Sequence, residues 1–434
     1  MEETEELDLA AGTPEPRPDV RLLRSLTLRN ILSFGPDTPP LELRALNVLI
    51  GPNGSGKSNL LDCIGLLQSA PEKLAETIRT EGSVQEWLWK GSKNPTARVE
   101  AEVAVAWPRP GGLRHWFEFQ EAALRFELKD ERIEYAETRE QEKTPELLFG
   151  YQHGVPTLAH LSEEVGFSDD YPEGASPYLY RERTYRNLKR GDLNPEQSIL
   201  SQRRDPDLYP ELTYLGDTYP KIRLYRSWVF GRENPARDWQ DTAGRNDYLT
   251  PSADNLALML SRFRNDRSVR KRIEQLLNEL YDGITSFETQ VFGGRMQVVL
   301  EEGNISIPGS RLSDGTLRFL SLVVILLHPT PPPLICLEEP ELGLHPDAVV
   351  AIGKLIKEAS TRTQLIVTTH SRVLIDTLTD SPEDVIVCGK RDGSTVMERL
   401  KSEELANWLK QYGSLGNLWS RGFLGDEAGN GNRW

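Results

Sequence analysis

Residues Gly51-Pro52-Asn53-Gly54-Ser55-Gly56-Lys57-Ser58 fit the pattern G-x-x-x-x-G-K-[ST] at every fixed position. The short, apolar, β-prone run Leu46-Asn47-Val48-Leu49-Ile50 leads into it. Asn59-Leu60-Leu61-Asp62-Cys63-Ile64-Gly65-Leu66-Leu67 follows, with apolar residues at helical spacing. The motif therefore lies between a buried strand and the first turn of a helix, which implies an α/β fold. A chance glycine-rich turn would not require both flanking elements. Glycines let the backbone close around an anion, and loop N–H groups then point at phosphate oxygens together with the helix N-terminus. Gly51, Pro52, Asn53, Gly54, Ser55, Gly56, Lys57, Ser58 and Asn59 are the expected cradle. Lys57 would reach β- and γ-phosphates, and Ser58 would bind Mg²⁺.

A chain of 434 residues holds two or three ordinary domains, or one domain with a large insertion. Its formal net charge of −15 argues against a uniformly basic nucleic-acid binder and favours a soluble protein. Cys63, Cys336 and Cys388 each sit inside an apolar run. Their odd number and wide spacing, without a signal peptide, point to a reducing cytoplasm and to small core residues. No apolar run reaches the ~18 residues that suggest a membrane span. No C-x-x-C or H-x-x-x-H pair suggests zinc.

Residues 1–20 are acidic and then proline-broken, and read as a disordered tail. Residues 21–95 form the first half of the P-loop domain, opening with a strand at 22–28 and a short one near 41–43. Beyond the P-loop helix, Gln85 lies in an aromatic turn segment and is a candidate sensor of the γ-phosphate, although a lone glutamine is also an ordinary surface residue. Residues 96–300 are expected as an inserted lobe. Period-two alternation from 97 to 135 gives antiparallel strands, with a turn at Pro108-Arg109-Pro110-Gly111-Gly112. Residues 140–220 show little periodicity. Two basic stretches are candidate contacts for an acidic partner. One is Tyr178 to Arg204, with Tyr180 and Tyr185 interleaved; the other is Arg262 to Arg272. Both also read as solvated surface.

Residues 301–400 carry the second half of the site. Leu312-Ser313-Asp314-Gly315-Thr316 precedes an apolar helix, so Ser313, Asp314 and Gly315 can present N–H groups and a hydroxyl to a phosphate. The buried run Leu334-Ile335-Cys336-Leu337 ends in Glu338-Glu339-Pro340-Glu341. The first acid suits Mg²⁺, and the second suits orientation or deprotonation of an attacking water. The strand at 364–369 ends in His370, which can reach a γ-phosphate. Residues 401–434 are a terminal helix and tail.

In that order, the P-loop, Leu-Ser-Asp-Gly, Glu-Glu-Pro-Glu, Gly-Leu-His-Pro and Thr-Thr-His-Ser resemble the ABC-type ATPase heads of the RecF, SMC and OLD group. More closely, the chain resembles the stand-alone, AAA-type bacterial ATPases of the OLD-like branch. Leu28-Arg29-Asn30-Ile31-Leu32-Ser33-Phe34 and Leu415-Gly416-Asn417-Leu418-Trp419 resemble that branch too. The likeness covers about 22–70 and 305–400. It implies a P-loop NTPase with a mixed sheet and an inserted irregular α+β lobe. It also implies ATP and Mg²⁺ as ligands, and a homodimer or higher oligomer that closes on two ATP molecules. Lys57, Glu339 and His370 would be catalytic; Ser58 and Glu338 would hold the metal. Ser313 and Gly315 of the second copy would complete the γ-phosphate shell. Two departures stand out: Leu-Ser-Asp-Gly-Thr where many relatives have Leu-Ser-Gly-Gly-Gln, and Glu338 where the superfamily usually has Asp. No long heptad region and no acidic nuclease cluster are present. The expected function is a cytoplasmic ATP-driven switch in bacterial defence or DNA repair. Its partner is double-stranded DNA or a separate nuclease or toxin effector, and no membrane is involved. A non-hydrolysing scaffold and a transporter ATPase subunit are the alternatives.

Overall fold

The computed structural model describes residues 19–80, 82–105, 111–138, 144–162, 182–226 and 230–424. Residues 1–18 of the tail expected at 1–20, residues 108–110 of the turn expected at 108–112, Tyr178, Tyr180, Arg181 and residues 425–434 lie outside the described residues. The chain enters through β1 (Leu23–Arg29), which pairs antiparallel with β2 (Leu41–Glu42). β3 (Leu46–Ile50) is buried at every position and runs into α1 (Lys57–Ser69). α2 (Leu74–Thr80) and α3 (Val84–Trp87) follow. The aromatic segment expected as a turn is thus partly a helical turn, with the Ser83 N–H donating to the Glu86 carboxylate at 3.2 Å.

β4 (Ala97–Val105), β5 (Gly111–Ala122), β6 (Arg125–Tyr135), β7 (Leu147–Gln152), β8 (Val155–Leu161) and β9 (Arg183–Asn187) extend the first hairpin into an eight-stranded antiparallel sheet, ordered β2-β1-β4-β5-β6-β7-β8-β9. Three of these strands fall within the stretch expected to be irregular, and α4 (Ile199–Gln202) and α5 (Pro210–Thr218) lie there too. The reason is local. Leu147 to Gly150 are all buried, so β7 shows no alternation. The β7–β8 turn is His153-Gly154, both at positive φ, in the place where Asn-Gly would have announced a hairpin.

β10 (Arg223–Tyr225) leads towards a smaller sheet made by β11 (Gln240–Asp241), β12 (Ile284–Phe292), β13 (Arg295–Glu302) and β14 (Ile305–Pro308). The helices α6 (Leu256–Arg264) and α7 (Arg267–Leu280) precede β12. Next come α8 (Asp314–Leu326), β15 (Leu334–Glu338), α9 (Pro346–Ala359), β16 (Gln364–Thr368) and α10 (Arg372–Asp376). The hairpin β17 (Val385–Arg391) and β18 (Ser394–Arg399) and the helices α11 (Ser402–Tyr412) and α12 (Leu415–Ser420) complete the described chain. The central sheet has the order β10-β15-β16-β3-β17-β18 and is parallel except for β18. Residues 96–300, expected as one inserted lobe, thus supply strands to all three sheets, the central one included.

The central sheet is covered on both faces, which is why its strands read as continuous apolar runs. Val48, Ile50, Ile335, Leu337, Leu365 and Val367 pack on one side with α6, α8 and α9. Leu49, Leu334, Cys336 and Ile366 face the other side, with α1 and the eight-stranded sheet. All three cysteines are buried there as free thiols, and burial pushes the Cys388 thiol up to about 12. One buried amide stitches the two sheets together: Gln364 accepts from the N–H groups of Leu22 and Leu23 and donates to the carbonyls of Leu23 and Arg44.

His328, just past α8, is buried; its Nε2 lies 2.8 Å from the Asp247 carbonyl, and its Nδ1 accepts from the Thr330 N–H at 3.1 Å. This is a neutral ring with both nitrogens used, and burial lowers its pKa. The unfolded chain therefore binds the proton more readily than the folded one. His328 contributes stability above the ordinary histidine value of about 6.5, and that contribution is lost as pH falls below it. Urea unfolding between about pH 5 and about pH 7.5 should show a shallower pH dependence in His328→Gln than in the parent. Parallel curves would remove His328 as a source of acid sensitivity.

Candidate functional site

The carboxyl ends of β3, β15, β16 and β10 lie side by side at one edge of the parallel sheet, the edge where open α/β sheets receive ligands. After β3 the chain makes the Gly51–Ser58 loop, and Gly51, Gly54 and Gly56 all have positive φ. A Cβ on Gly51 would overlap the carbonyl oxygen of Cys388, and one on Gly56 would overlap Thr395 Oγ1. Packing against the β17–β18 hairpin thus demands two of the three glycines. Thr395 Oγ1 lies 2.7 Å from Ser33 Oγ and 3.1 Å from the Ser55 carbonyl. The Asn59 amide donates to the same Ser33 hydroxyl at 2.7 Å. Asn59, expected in the phosphate cradle, is thereby engaged in bracing the loop. Ser33 lies in the Leu28–Phe34 stretch, but its role at the loop, like that of Thr395, was missed because it depends on contacts between distant segments.

Lys57 is buried, and its Nζ donates to the carbonyls of Gly51 at 2.8 Å and Pro52 at 3.1 Å. Burial lowers its pKa, while Cys388, Glu339 and Glu338 oppose that. Pro52, Asn53, Gly54 and Ser58 are exposed at the loop rim. Ser55 Oγ is buried with no hydrogen-bond partner. An orphaned hydroxyl inside a glycine-lined loop, with a lysine beside it, fits a polyphosphate.

Glu338, the last residue of β15, accepts from Ser58 Oγ through Oε1 and from Arg226 Nε at 2.9 Å through Oε2. The two residues expected to hold Mg²⁺ are therefore in direct contact, and they offer the hard oxygen donors that this ion takes. Arg226 follows β10 and also donates to Asp62 of α1. Burial alone would lower its pKa, but the carboxylates of Asp62 and Glu338 raise it. Neither Arg226 nor Asp62 belongs to a local motif.

Glu339 sits at φ 44, an uncommon conformation for a residue with a side chain. Its N–H donates to the Thr368 carbonyl at 3.0 Å, and its own carbonyl accepts from Arg318 at 3.0 Å. Its carboxylate lies 3.5 Å from His370 Nε2, with both side chains about one-third exposed, at 31% and 34%. Burial, helped by the charge of Lys57, lowers the His370 pKa, so a neutral imidazole faces the carboxylate near neutral pH. Glu341 shapes this corner: its Oε1 accepts from Thr369 Oγ1 at 2.6 Å and from the N–H groups of His370 at 3.0 Å and Ser371 at 3.1 Å. The Arg318 guanidinium is buried beside these acids, and burial pushes it down to about 10.

Ser313 caps α8, accepting from the Thr316 N–H at 3.0 Å, and Asp314 pairs with Arg237. A Cβ on Gly315 would come within 2.9 Å of the Gly343 carbonyl, so the helix start packs on the Leu342–Leu344 loop. Ser313 and Asp314 are exposed. Among the described residues, their side-chain polar contacts are with Thr316 and Arg237, not with the P-loop. The fold thus gathers Lys57, Ser58, Glu338, Glu339 and His370 and leaves Ser313 to Gly315 facing elsewhere. Gln85 is exposed and donates to Glu121 of β5; Arg226 is the side chain that follows the strand next to β15. Some cations of the basic stretches are paired within the chain. Arg183 is held by Glu146 and Glu211, Arg264 and Arg270 by Glu288, and Arg272 and Arg204 face Glu358 and Asp217.

Residues 46–376 match a family model described as "AAA domain, putative AbiEii toxin, Type IV TA system". Over 85 residues the chain is 34% identical to the chromosome partition protein Smc of Mycobacterium tuberculosis and to that of Mycolicibacterium paratuberculosis. The match covers 19% of this chain and 7% of the length of those relatives. Among solved structures, the SmcHead bound to the C-winged helix domain of ScpA is similar, at 15% identity and TM-score 0.48, over 88% of this chain and 99% of that one. The SMC head domain from Thermotoga maritima is similar at 16% identity and TM-score 0.44, over 88% of this chain and 99% of that one. No helix among the described residues is long and apolar enough to cross a membrane.

Proposed function

Starting from the premise that the chain belongs to this AAA-domain family, with the α/β fold of an ABC- and SMC-type P-loop ATPase head, we propose that it binds and hydrolyses ATP with Mg²⁺ and works as an ATP-driven switch. The observation that carries the reading is the convergence of Lys57, Ser58, Glu338, Glu339 and His370 at neighbouring carboxyl ends of one parallel sheet. Lys57 and the loop N–H groups bind the phosphates, and Ser58 and Glu338 hold Mg²⁺, which when bound supplies positive charge to the phosphate oxygens. Glu339 takes the proton of the attacking water. His370, kept neutral, orients that carboxylate and contacts the γ-phosphate side.

Ser313, Asp314 and Gly315 act on the nucleotide of a second copy, so the working form is a head-to-head dimer. What supports this is their exposure at the N-terminus of α8 and their distance in contacts from their own P-loop. The family description as a toxin of a type IV toxin–antitoxin system favours a defence setting with a protein effector. DNA is placed second as a partner because Arg183, Arg264 and Arg270 of the basic stretches are paired with carboxylates of this chain. Purified protein should turn over ATP only with Mg²⁺, and double-stranded DNA should leave the rate unchanged. A rate that rises with DNA and loses that rise at higher salt would move the partner to nucleic acid. Absence of Mg²⁺-dependent turnover would defeat the enzymatic reading.

A further inference from the structure

We propose that Arg226 is a tethered cation that shares the metal-side carboxylate with Mg²⁺, and so lets the site bind nucleotide when divalent metal is scarce. The proposal rests on the ATP-binding reading above and extends it to a residue outside every recognised motif. Arg226 is placed by β10, which runs parallel to β15 in register, so that Tyr225 pairs with Leu337 and the next residues on each strand are Arg226 and Glu338. Its Nε holds Glu338 Oε2 at 2.9 Å, while the other Glu338 oxygen takes the Ser58 hydroxyl. Its Nη1 holds Asp62, which lies one turn beyond Ser58 on α1. The three side chains are largely shielded from water, at 27% for Arg226, 19% for Glu338 and 17% for Asp62.

Two carboxylates this close to a phosphate cradle would repel a triphosphate unless a cation sits on them. The guanidinium supplies that cation from the protein itself. It also neutralises Glu338 at the atom next to the one that faces Ser58. A divalent ion on Ser58 and Glu338 makes the arginine charge redundant for phosphate binding. Arg226 should therefore matter most to nucleotide affinity without metal and least with it.

The test is the affinity of a fluorescent ATP analogue for the full-length protein, in EDTA and in excess Mg²⁺. For Arg226→Gln the affinity in EDTA should fall about tenfold relative to wild type, while the affinity in Mg²⁺ changes by less than about twofold, as expected for loss of one partly screened unit charge. Arg226→Lys, which keeps the charge, should retain most of the binding in EDTA. If Arg226→Gln is too unstable to measure, Arg226→Gln combined with Asp62→Asn restores the charge balance of the buried cluster and should recover binding in EDTA. An equal loss in both conditions, or an unchanged ratio between them, overturns the role of Arg226. Wild-type protein that binds no analogue in either condition overturns the nucleotide reading beneath it.

Discussion

Glu339→Gln should lower ATP turnover by about 100- to 1,000-fold while leaving nucleotide affinity within about twofold. The contacts that place Glu339 are made by its backbone: the N–H to the Thr368 carbonyl and the carbonyl to Arg318. Glutamine keeps both, has the same length, and carries the same strain at φ 44. What it lacks is the capacity to accept a proton from water. The loss of the carboxylate also removes one of the two charges that raise the His370 pKa, so the imidazole remains neutral and its geometry is not the variable. Glu341 is a poor substitute base, because one oxygen already accepts three hydrogen bonds and the other is buried away from water. With binding intact and hydrolysis blocked, the ATP-bound form should accumulate, and light scattering in ATP should show twice the mass of the nucleotide-free protein. Turnover at the parental rate would assign proton transfer to another group. Lost turnover with a monomeric mass would separate hydrolysis from dimerisation.

What could be read from the chain alone was what is local. The P-loop, Ser313 as the cap of α8, Glu338 at the end of β15 and His370 after β16 are each announced by a buried apolar run and the residues that end it. The convergence of the P-loop, Glu338 and His370 could be expected because strands of one parallel sheet end on one edge, whereas Ser313 caps a helix and does not join them. The rest depends on contacts between distant segments. Arg226 meets Asp62 across 164 positions, and Ser33 meets Thr395 across 362, and no window of sequence contains either pair. Glu341 was read as part of Glu-Glu-Pro-Glu, yet its work is on the His370 loop, 29 residues away. The pairing inside the basic stretches was hidden for the same reason: Glu211 and Glu288, which hold Arg183 and Arg264, lie on other elements. The 140–220 region hid its strands because burial on both faces erases alternation and a His-Gly turn is not a strong hairpin signal.

Lys57→Ala should abolish useful nucleotide binding, a loss of about 100-fold or more, and still leave a folded protein within about 1 kcal/mol of the parent. The two effects separate because the lysine serves function at some expense to the fold. Its ammonium is buried, and burial lowers its pKa, so the charged form is disfavoured where it sits. Two hydrogen bonds, to the carbonyls of Gly51 and Pro52, partly offset this, and the nearby Glu338 and Glu339 add attraction. Alanine removes the bonds and the desolvated charge together, and terms of opposite sign nearly cancel. Gly51→Ala is the contrasting variant. Its Cβ would run into the Cys388 carbonyl oxygen, a backbone atom of the central sheet that has no rotamer to escape by. That substitution should cost about 3 kcal/mol or more and lower the unfolding temperature clearly. Thermal unfolding beside nucleotide titration distinguishes the two positions. Lys57→Ala with retained binding and a collapsed unfolding temperature would make the lysine a structural tie of the loop rather than its phosphate ligand.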